Sequence, residues 1–163
     1  MLWEIREEAQ GLAARIHELV QSGVPAQDIA VLCREKRNWE LLKTALRQRG
    51  IEAEVYVSGS ASSHASGSAA QKKNQLDWNA PSVKLLTMHA AKGLEFPHVF
   101  LMRLDLLPAQ AAAEEDEWRL LYVAMTRATE QLTLSCAGDS PAVSRVQQAL
   151  ERLPGLLPAR QSG

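Results

Sequence analysis

The sequence predicts an α/β fold with a mainly parallel sheet and helices on both faces. Short, continuous apolar runs recur along the chain, which is typical of strands that are covered on both faces. Segments with helical apolar spacing separate these runs. The first two predicted strands also flank a predicted helix within about 30 residues, and such a unit implies parallel strands joined by a right-handed crossover.

The first elements of this pattern can be read in order. Apolar residues recur at helical spacing through residues 3–21. Residues 29–33 form a continuous apolar run, which predicts a buried strand. A second helix follows around residues 41–46, and Gly50 stands where a C-cap glycine belongs. Residues 52–57 predict the next strand.

The composition then changes. Residues 58–70 are rich in serine and glycine and contain no aromatic residue, so they predict a flexible linker, which we extend to residue 80. One domain is expected over residues 1–153 around this linker, followed by a frayed tail at 154–163. Beyond the linker, the same criteria predict strands at 83–87, 99–102 and 131–136 and helices at 114–128 and 141–153.

Composition and charge limit the kinds of partner. The chain has 18 basic and 19 acidic residues and a net charge of −1, so tight autonomous binding to a polyphosphate backbone is not expected. Cys33 and Cys136 each end an apolar run and predict buried free thiols in a reducing cytoplasm. The charged N-terminus does not fit a signal peptide, and no run approaches a membrane span. We therefore expect a cytoplasmic protein with no membrane partner.

Two segments, 85–101 and 120–128, join an apolar run to polar residues suited to phosphate or sugar. The chain contains no G-x-x-x-x-G-K-[ST] phosphate-binding loop. The two segments therefore indicate one of the two parts of a nucleotide-dependent motor. In the first segment, polar residues follow a predicted strand at its carboxyl end, where open α/β sheets bind ligands. There His89 can donate to a phosphate or stack beside a base, Gly93 permits close backbone approach, and Glu95 can accept from a sugar hydroxyl. A surface loop with a capped turn is the alternative.

Helical projection of residues 114–128 gives two apolar sides. The side expected to pack on the sheet contains Trp118, Leu121, Tyr122 and Met125. The other side contains Leu120, Val123 and Arg127, which indicates a second cover such as another domain, with Arg127 projecting into the gap. A solvated arginine near the helix C-terminus, favoured by the macrodipole, is the alternative. The acidic run 114–117 is interpreted as favourable charge at the helix N-terminus.

The two segments resemble motifs V and VI of the UvrD/Rep/PcrA branch of superfamily 1 DNA helicases. The first reads T-M-H-A-A-K-G-L-E-F-P-x-V-F-L and the second L-L-Y-V-A-M-T-R-A-T-E-x-L, in order and correctly spaced. Residues 25–42 also resemble the strand and helix before the family's inserted 2B domain, so the resemblance covers most of residues 25–136. It implies a RecA-like (P-loop NTPase-like) three-layer sandwich, the family's second motor domain 2A, with the 58–80 linker where the family inserts 2B.

The resemblance also implies roles for single residues. Arg127 corresponds to the arginine finger that reaches the γ-phosphate of ATP held on the family's first domain. Glu95 corresponds to the residue that contacts the ribose of the nucleotide. Gly93 is expected to belong to the same nucleotide-binding site. The implied contacts to single-stranded DNA are His89, Thr87 and Arg34. Lys36 departs from the asparagine usual at its position, which puts a contact there in doubt.

ATP with Mg²⁺ is therefore expected only in a composite site, shared with a P-loop domain (1A) of the same or another chain. The Walker A and Walker B sequences of that first domain are missing, as is the family's motif IV arginine. The isolated chain is expected to be a monomer that neither holds ATP tightly nor hydrolyses it, and no metal ligands are predicted. We predict the C-terminal motor lobe of an ATP-dependent DNA helicase. The alternatives are a stand-alone, non-catalytic domain that binds DNA or a protein, or a remnant without a ligand.

Overall fold

The computed structural model describes residues 2–56, 77–108 and 114–152. Within these ranges, four α-helices and five strands follow the predicted α/β pattern. The helices are α1 (Leu2–Gln21), α2 (Trp39–Arg47), α3 (Glu114–Met125) and α4 (Pro141–Glu151). The strands are β1 (Ile29–Cys33), β2 (Ala53–Tyr56), β3 (Val83–Thr87), β4 (Phe96–Met102) and β5 (Ala128–Leu134).

The strands form one parallel sheet in the order β2-β3-β1-β4-β5. In the central strand β1, Val31 is level with Leu85 of β3 on one side and with Phe100 of β4 on the other. The predicted parallel sheet is confirmed. However, β1 and β2 are not neighbours, because β3 lies between them.

Helices cover both faces of the sheet. Successive strand residues point to opposite faces, and the odd-numbered residues of β1 pack in a core with Ile16 of α1 and Leu42 of α2. The even-numbered residues of β1 pack in a second core with Leu121 of α3 and Val143 of α4. Since fully burying such a side chain contributes about 1.5–3 kcal/mol, both cores favour the observed register. The predicted three-layer sandwich is confirmed.

Local signals fix two of the helix ends. Pro141 takes the first position of α4, and the preceding Ser140 accepts a hydrogen bond from the Val143 N–H at 3.2 Å. After α2, Gly50 adopts a φ of 72°, a left-handed conformation that glycine reaches without Cβ strain. The predicted C-cap position of Gly50 fits this geometry.

Helix α3 differs from its prediction in length and in the position of one residue of its packed side. The helix predicted at 114–128 ends at Met125, because Ala128 already begins β5. Tyr122, which was predicted to pack on the sheet, is 69% exposed. The buried residues of α3 are Glu117, Leu121 and Ala124. Leu121 of the predicted side is buried, and Trp118 and Met125 are partly buried against the same core, so Tyr122 alone departs from the prediction.

The two cysteines differ in burial. Cys33 is a buried free thiol, as predicted, and its Sγ donates to the backbone oxygen of Glu35 at 2.8 Å. Burial raises the pKa of the Cys33 thiol to about 12. Cys136 is free but exposed, so the prediction of its burial is wrong. The physical reason is that β5 ends at Leu134, and Cys136 lies in the loop beyond it.

Most of the predicted linker, residues 58–76, and the predicted tail, 154–163, lie outside the described residues. The last residues of the predicted linker form a turn that packs on the sheet. The Trp78 ring there lies 6.0 Å from the ring of Tyr56, and also 6.0 Å from the ring of Phe96. The end of β2 and the turn that leads into β3 are therefore in contact.

Candidate functional site

The parallel sheet has a carboxyl edge, where its strands end, and an amino edge, where they begin. The connection formed by residues 88–95 leaves β3 at the carboxyl edge and enters β4 at the amino edge. Thr87 and His89 therefore lie at the carboxyl edge, whereas Glu95 lies at the amino edge. The prediction that this polar stretch follows the carboxyl end of a strand holds for its first residues and is wrong for Glu95.

The connection crosses the sheet because its middle is apolar and small. Its residues buried in the core shared with α3 are Met88, Ala90 and Ala91. Gly93 then turns the chain towards β4 with a φ of 83°, a conformation that strains residues with a side chain. The space that a Cβ of Gly93 would occupy is open within 4 Å. The connection thus leaves clearance beside the amino edge.

Arg127 lies at this amino edge, in the turn between α3 and β5. Its Nε donates to the Val123 carbonyl at 3.0 Å, as an arginine at a helix C-terminus can do. Nη1 donates to the Leu94 carbonyl at 3.3 Å, and Nη2 donates to Thr126 Oγ1 at 3.1 Å. An arginine has five N–H donors, so one hydrogen on each Nη has no acceptor within the described part of the chain. The guanidinium is therefore held in place yet keeps two donors.

The three residues assigned to the nucleotide lie at the same edge. Glu95 directly precedes β4 and Arg127 directly precedes β5, and these strands are neighbours. The Arg127 carbonyl accepts from the Phe96 N–H at 2.9 Å, which joins the two segments. Glu95 and Gly93 are exposed. The oriented guanidinium of Arg127 can stabilise an anionic group, and the exposed carboxylate of Glu95 can accept a hydrogen bond from a hydroxyl.

The three residues assigned to single-stranded DNA lie at the opposite, carboxyl edge. Thr87 ends β3, and Arg34 follows β1, whose last residue is level with Thr87. His89 and Lys36 are exposed, whereas Thr87 is half-buried. The Thr87 Oγ1 accepts from the Ala90 N–H at 3.2 Å. The structure thus separates the candidate residues into two groups on opposite edges of one sheet.

Arg34 is engaged by Glu117 in the first turns of α3. Its Nε lies 3.0 and 3.2 Å from the two Glu117 carboxylate oxygens, and its Nη2 donates to Oε1 at 2.8 Å. The side chains are 21% and 7% exposed, respectively. The hydrogen bond to Glu117 raises the pKa of Arg34, so the guanidinium stays charged. Glu117 lies in the first turn of α3, as the predicted helix-terminus charge requires, and it is in addition a buried ion-pair partner.

A pocket of about 240 Å³ lies between the connection and α3. Its lining residues are Met88, His89 and Lys92 from the connection and Asp116, Arg119, Leu120 and Val123 from α3. The second apolar side predicted for α3 thus borders a pocket that is open in this chain. Lys92 and Arg119 bring positive charge to this lining, and Arg119 pairs with the Asp116 carboxylate of the same pocket at 3.4 Å.

A second polar cluster, which the sequence did not reveal, ties α1 to the ends of β4 and β5. The Arg103 N–H donates to Glu8 Oε1 at 2.8 Å, and the Ser135 hydroxyl donates to the same oxygen at 2.6 Å. Burial raises the pKa of Glu8. Burial would also raise the pKa of Asp105, but hydrogen bonds from Arg103 and the Ala137 N–H outweigh it and lower that pKa. This cluster is structural, since Glu8 Oε1 and Asp105 accept hydrogen bonds within the fold, and the buried Glu8 Oε2, which has no hydrogen-bond partner among the described residues, lies 3.7 Å from Arg103 Nε.

Among the described residues, no three His, Cys, Asp or Glu side chains lie close enough together to hold a metal ion. His98 Nε2 lies 3.7 Å from a Glu130 carboxylate oxygen, but in the described ranges no third His, Cys, Asp or Glu side chain joins this pair to form a metal site. No helix in the described ranges has the length and apolarity needed to cross a membrane.

Comparison with known proteins agrees with the motif resemblance. Residues 65–139 match the sequence model of the UvrD-like helicase C-terminal domain. DNA helicase II of Escherichia coli K12 is 38% identical over 110 residues, which are 61% of this chain and 15% of that protein. The ATP-dependent DNA helicase PcrA of Bacillus subtilis is 42% identical over 73 residues, which are 40% of this chain and 10% of that protein.

A solved structure is similar over most of the chain. It is the C-terminal domain of a possible DNA helicase from Lactobacillus plantarum WCFS1, with a TM-score of 0.59 and 25% identity, covering 87% of this chain and 74% of that one. The resemblance stated from the motifs is therefore confirmed. The chain spans 15% or less of the length of the helicases compared above.

Proposed function

We propose that this homologue of the UvrD-like helicase C-terminal domain is the second motor lobe, domain 2A, of an ATP-dependent DNA helicase or translocase. The proposal rests on Arg127, whose guanidinium is fixed beside residue 94 and keeps one hydrogen on each Nη that no acceptor in the described residues binds. Since the sequence contains no phosphate-binding loop, ATP and Mg²⁺ are held by a P-loop domain of the same or another chain.

The amino edge fits part of a nucleotide site. Arg127 directs its two free donors at the γ-phosphate and stabilises the charge that develops there during transfer to water. Because backbone carbonyls already orient the guanidinium, little reorganisation is needed at the moment of reaction. Glu95 accepts from the ribose hydroxyls, and the open space at Gly93 lets the nucleotide approach the backbone. These residues supply the finger and the sugar contact, while the phosphates and the metal belong to the P-loop domain.

The carboxyl edge forms part of the track for single-stranded DNA. Thr87 and His89 donate to the DNA backbone, His89 also stacks beside a base, and Arg34 contributes a positive charge. The net charge of −1 provides no broad basic surface, so the isolated chain binds single strands weakly and with a steep dependence on salt. One lobe therefore contacts ATP at the amino edge of its sheet and single-stranded DNA at the carboxyl edge.

The test is the ATPase activity of the chain assembled with its P-loop domain. Arg127→Ala is expected to lower kcat about 10³-fold or more with nearly unchanged ATP affinity, since arginine fingers contribute about 10³–10⁵ in kcat. Arg15→Ala is the matched control, because Arg15 is an exposed arginine of α1 whose ion pair is with Glu18. The isolated chain is expected to show no ATPase activity above background.

Three results would contradict parts of this proposal. A large loss of ATP affinity with normal turnover would reassign Arg127 to ground-state binding. Turnover by the isolated chain would contradict the composite site. An assembled protein that hydrolyses no ATP, with or without DNA, would favour the stand-alone binding domain.

A further inference from the structure

We propose that Glu117 is a positioning residue, which holds Arg34 for contact with a phosphate of single-stranded DNA. The inference rests on the proposed function and deepens it. Glu117 is too buried to meet DNA itself, with 7% of its side chain exposed. It acts through Arg34, whose contact with Glu117 joins residues 83 positions apart in sequence.

The geometry leaves Arg34 able to bind a second anion. Glu117 occupies the guanidinium edge formed by Nε and one hydrogen of Nη2. Of the five N–H donors, the two on Nη1 and the second on Nη2 have no acceptor within the described part of the chain. The planar guanidinium can bind two anions through different edges, and its 21% exposure gives solvent access to the remaining edge.

Glu117 also removes the freedom that an arginine otherwise has. An unpaired arginine samples many rotamers, and ordering it on a ligand carries an entropic cost. Here the bidentate contact fixes the guanidinium plane before any ligand arrives. The neutral isostere in Glu117→Gln keeps the shape of the buried side chain but replaces one of its two accepting oxygens with a donating amide group, so the two-oxygen contact is lost and the Arg34 guanidinium is less restrained.

The position of Arg34 favours phosphate as the second anion. Arg34 follows Cys33, whose carbonyl accepts from the Met88 N–H at 3.0 Å, so it lies at the start of the connection that carries His89. A pocket lined by His89, Lys92 and Asp116 begins one residue from Glu117 in α3, and its Arg119 pairs with Asp116 at 3.4 Å. A phosphate bound at Arg34 would place the adjoining sugar or base towards this pocket.

A purely structural role for the ion pair makes a different prediction. In that case the pair only ties the loop after β1 to α3, and its loss lowers stability and all activities together. Positioning instead predicts a change in the DNA concentration needed for activation, with a smaller change in the maximal rate. This difference separates the two roles.

The experiment measures ATPase stimulation of the assembled motor by single-stranded oligothymidylate. We expect Glu117→Gln and Arg34→Ala each to raise the half-maximal DNA concentration about 10-fold, the size of one charge-assisted hydrogen bond, with kcat at saturating DNA within about twofold. The double variant should be no worse than the more affected single variant, because both remove one contact. Glu115→Gln is the matched control, since Glu115 is an exposed carboxylate of α3 that pairs with Arg119.

The outcomes separate this inference from the proposed function. If oligothymidylate does not stimulate the wild-type motor, the proposed function fails and the inference fails with it. If the wild type is stimulated but a folded Glu117→Gln behaves like the control, only the positioning role is refuted. If Glu117→Gln lowers kcat but leaves the half-maximal DNA concentration unchanged, the positioning role is also refuted. If Glu117→Gln does not fold, Glu117→Asp is tested in its place. The shorter aspartate keeps the negative charge but moves the carboxylate away from Arg34. An unchanged half-maximal DNA concentration for this variant again refutes the inference.

Discussion

The buried ammonium of Lys84 gives a stability prediction that can be worked from its contacts. The side chain of Lys84 is fully buried in β3, next to a partner carboxylate that is 35% exposed. Its Nζ lies 2.7 Å from Glu54 Oε2 and 2.9 Å from Ser82 Oγ. It also donates to the Asp77 and Ala80 carbonyls at 2.6 and 3.2 Å, which fastens the turn that enters β3. Lys84→Met keeps much of the apolar stem and removes all four contacts.

Removing one partner of a buried ion pair typically costs about 3–5 kcal/mol. Because Glu54 is partly exposed and can be rehydrated, we expect Lys84→Met to fall at the lower end, about 3 kcal/mol. The measurement is urea unfolding of the chain followed by far-ultraviolet circular dichroism. Lys43→Met is the control, since Lys43 pairs with Glu40 at the surface of α2, and it should cost less than about 1 kcal/mol. A loss below about 1 kcal/mol for Lys84→Met would refute the reasoning.

Two further predictions concern thiol reactivity and acid stability. In the native chain, Cys136 should react with a thiol reagent because it is exposed, although desolvation raises its pKa and slows the reaction. Cys33, buried and with its pKa raised to about 12, should react only on unfolding; reaction of both thiols in the native chain would contradict this. Hydrogen bonds from Lys84 and then Ser82 lower the pKa of Glu54 below its ordinary value of 4.5. The Glu54 carboxylate therefore contributes its full stabilisation above pH 4.5, the pKa it has in the unfolded chain. This stabilisation is lost as the pH falls through the lower pKa that Glu54 has in the folded chain. Urea unfolding across this range should show a shallower acid decline for Glu54→Gln, and an unchanged decline would count against the pairing.

Elements with strong local signals could be predicted from the sequence. The strands at Ile29–Cys33 and Val83–Thr87 match their predicted bounds, because the apolar run of the first ends before Arg34 and the largely apolar run of the second, which contains Lys84, ends in Thr87. The start of α4 was predictable for a similar reason, as Pro141 favours the first helical position. The order of the strands was not predictable in this way. Whether β3 pairs between β1 and β2 depends on long-range contacts that no local pattern reports.

For the candidate site, the sequence likewise predicted which residues are involved but not where they lie on the sheet. The motif resemblance named the residues, but it did not say that Glu95 and His89 lie at opposite edges of the sheet. That separation follows from the parallel direction of β3 and β4, since a chain that leaves one strand must cross the sheet to enter the next. Small buried residues in the connection make the crossing possible. Topology therefore converts one polar sequence stretch into two distinct contact surfaces.

The Arg34–Glu117 pair shows which signal could have improved the sequence prediction. Glu117 shares a helical face with Leu121 and Ala124 at spacings of four and seven residues, and all three are buried. Had that face been taken as the one packed on the sheet, a carboxylate on it would have required a buried cationic partner, because an unpaired buried charge is strongly unfavourable. The choice of Tyr122 for the packed stripe hid this requirement. Its hydroxyl lets Tyr122 face water at little cost, so a tyrosine is weaker evidence for the buried side of a helix than leucine or alanine. A carboxylate that falls among the core positions of a helix therefore deserves a search for its cation at the ends of neighbouring strands, where Arg34 lies.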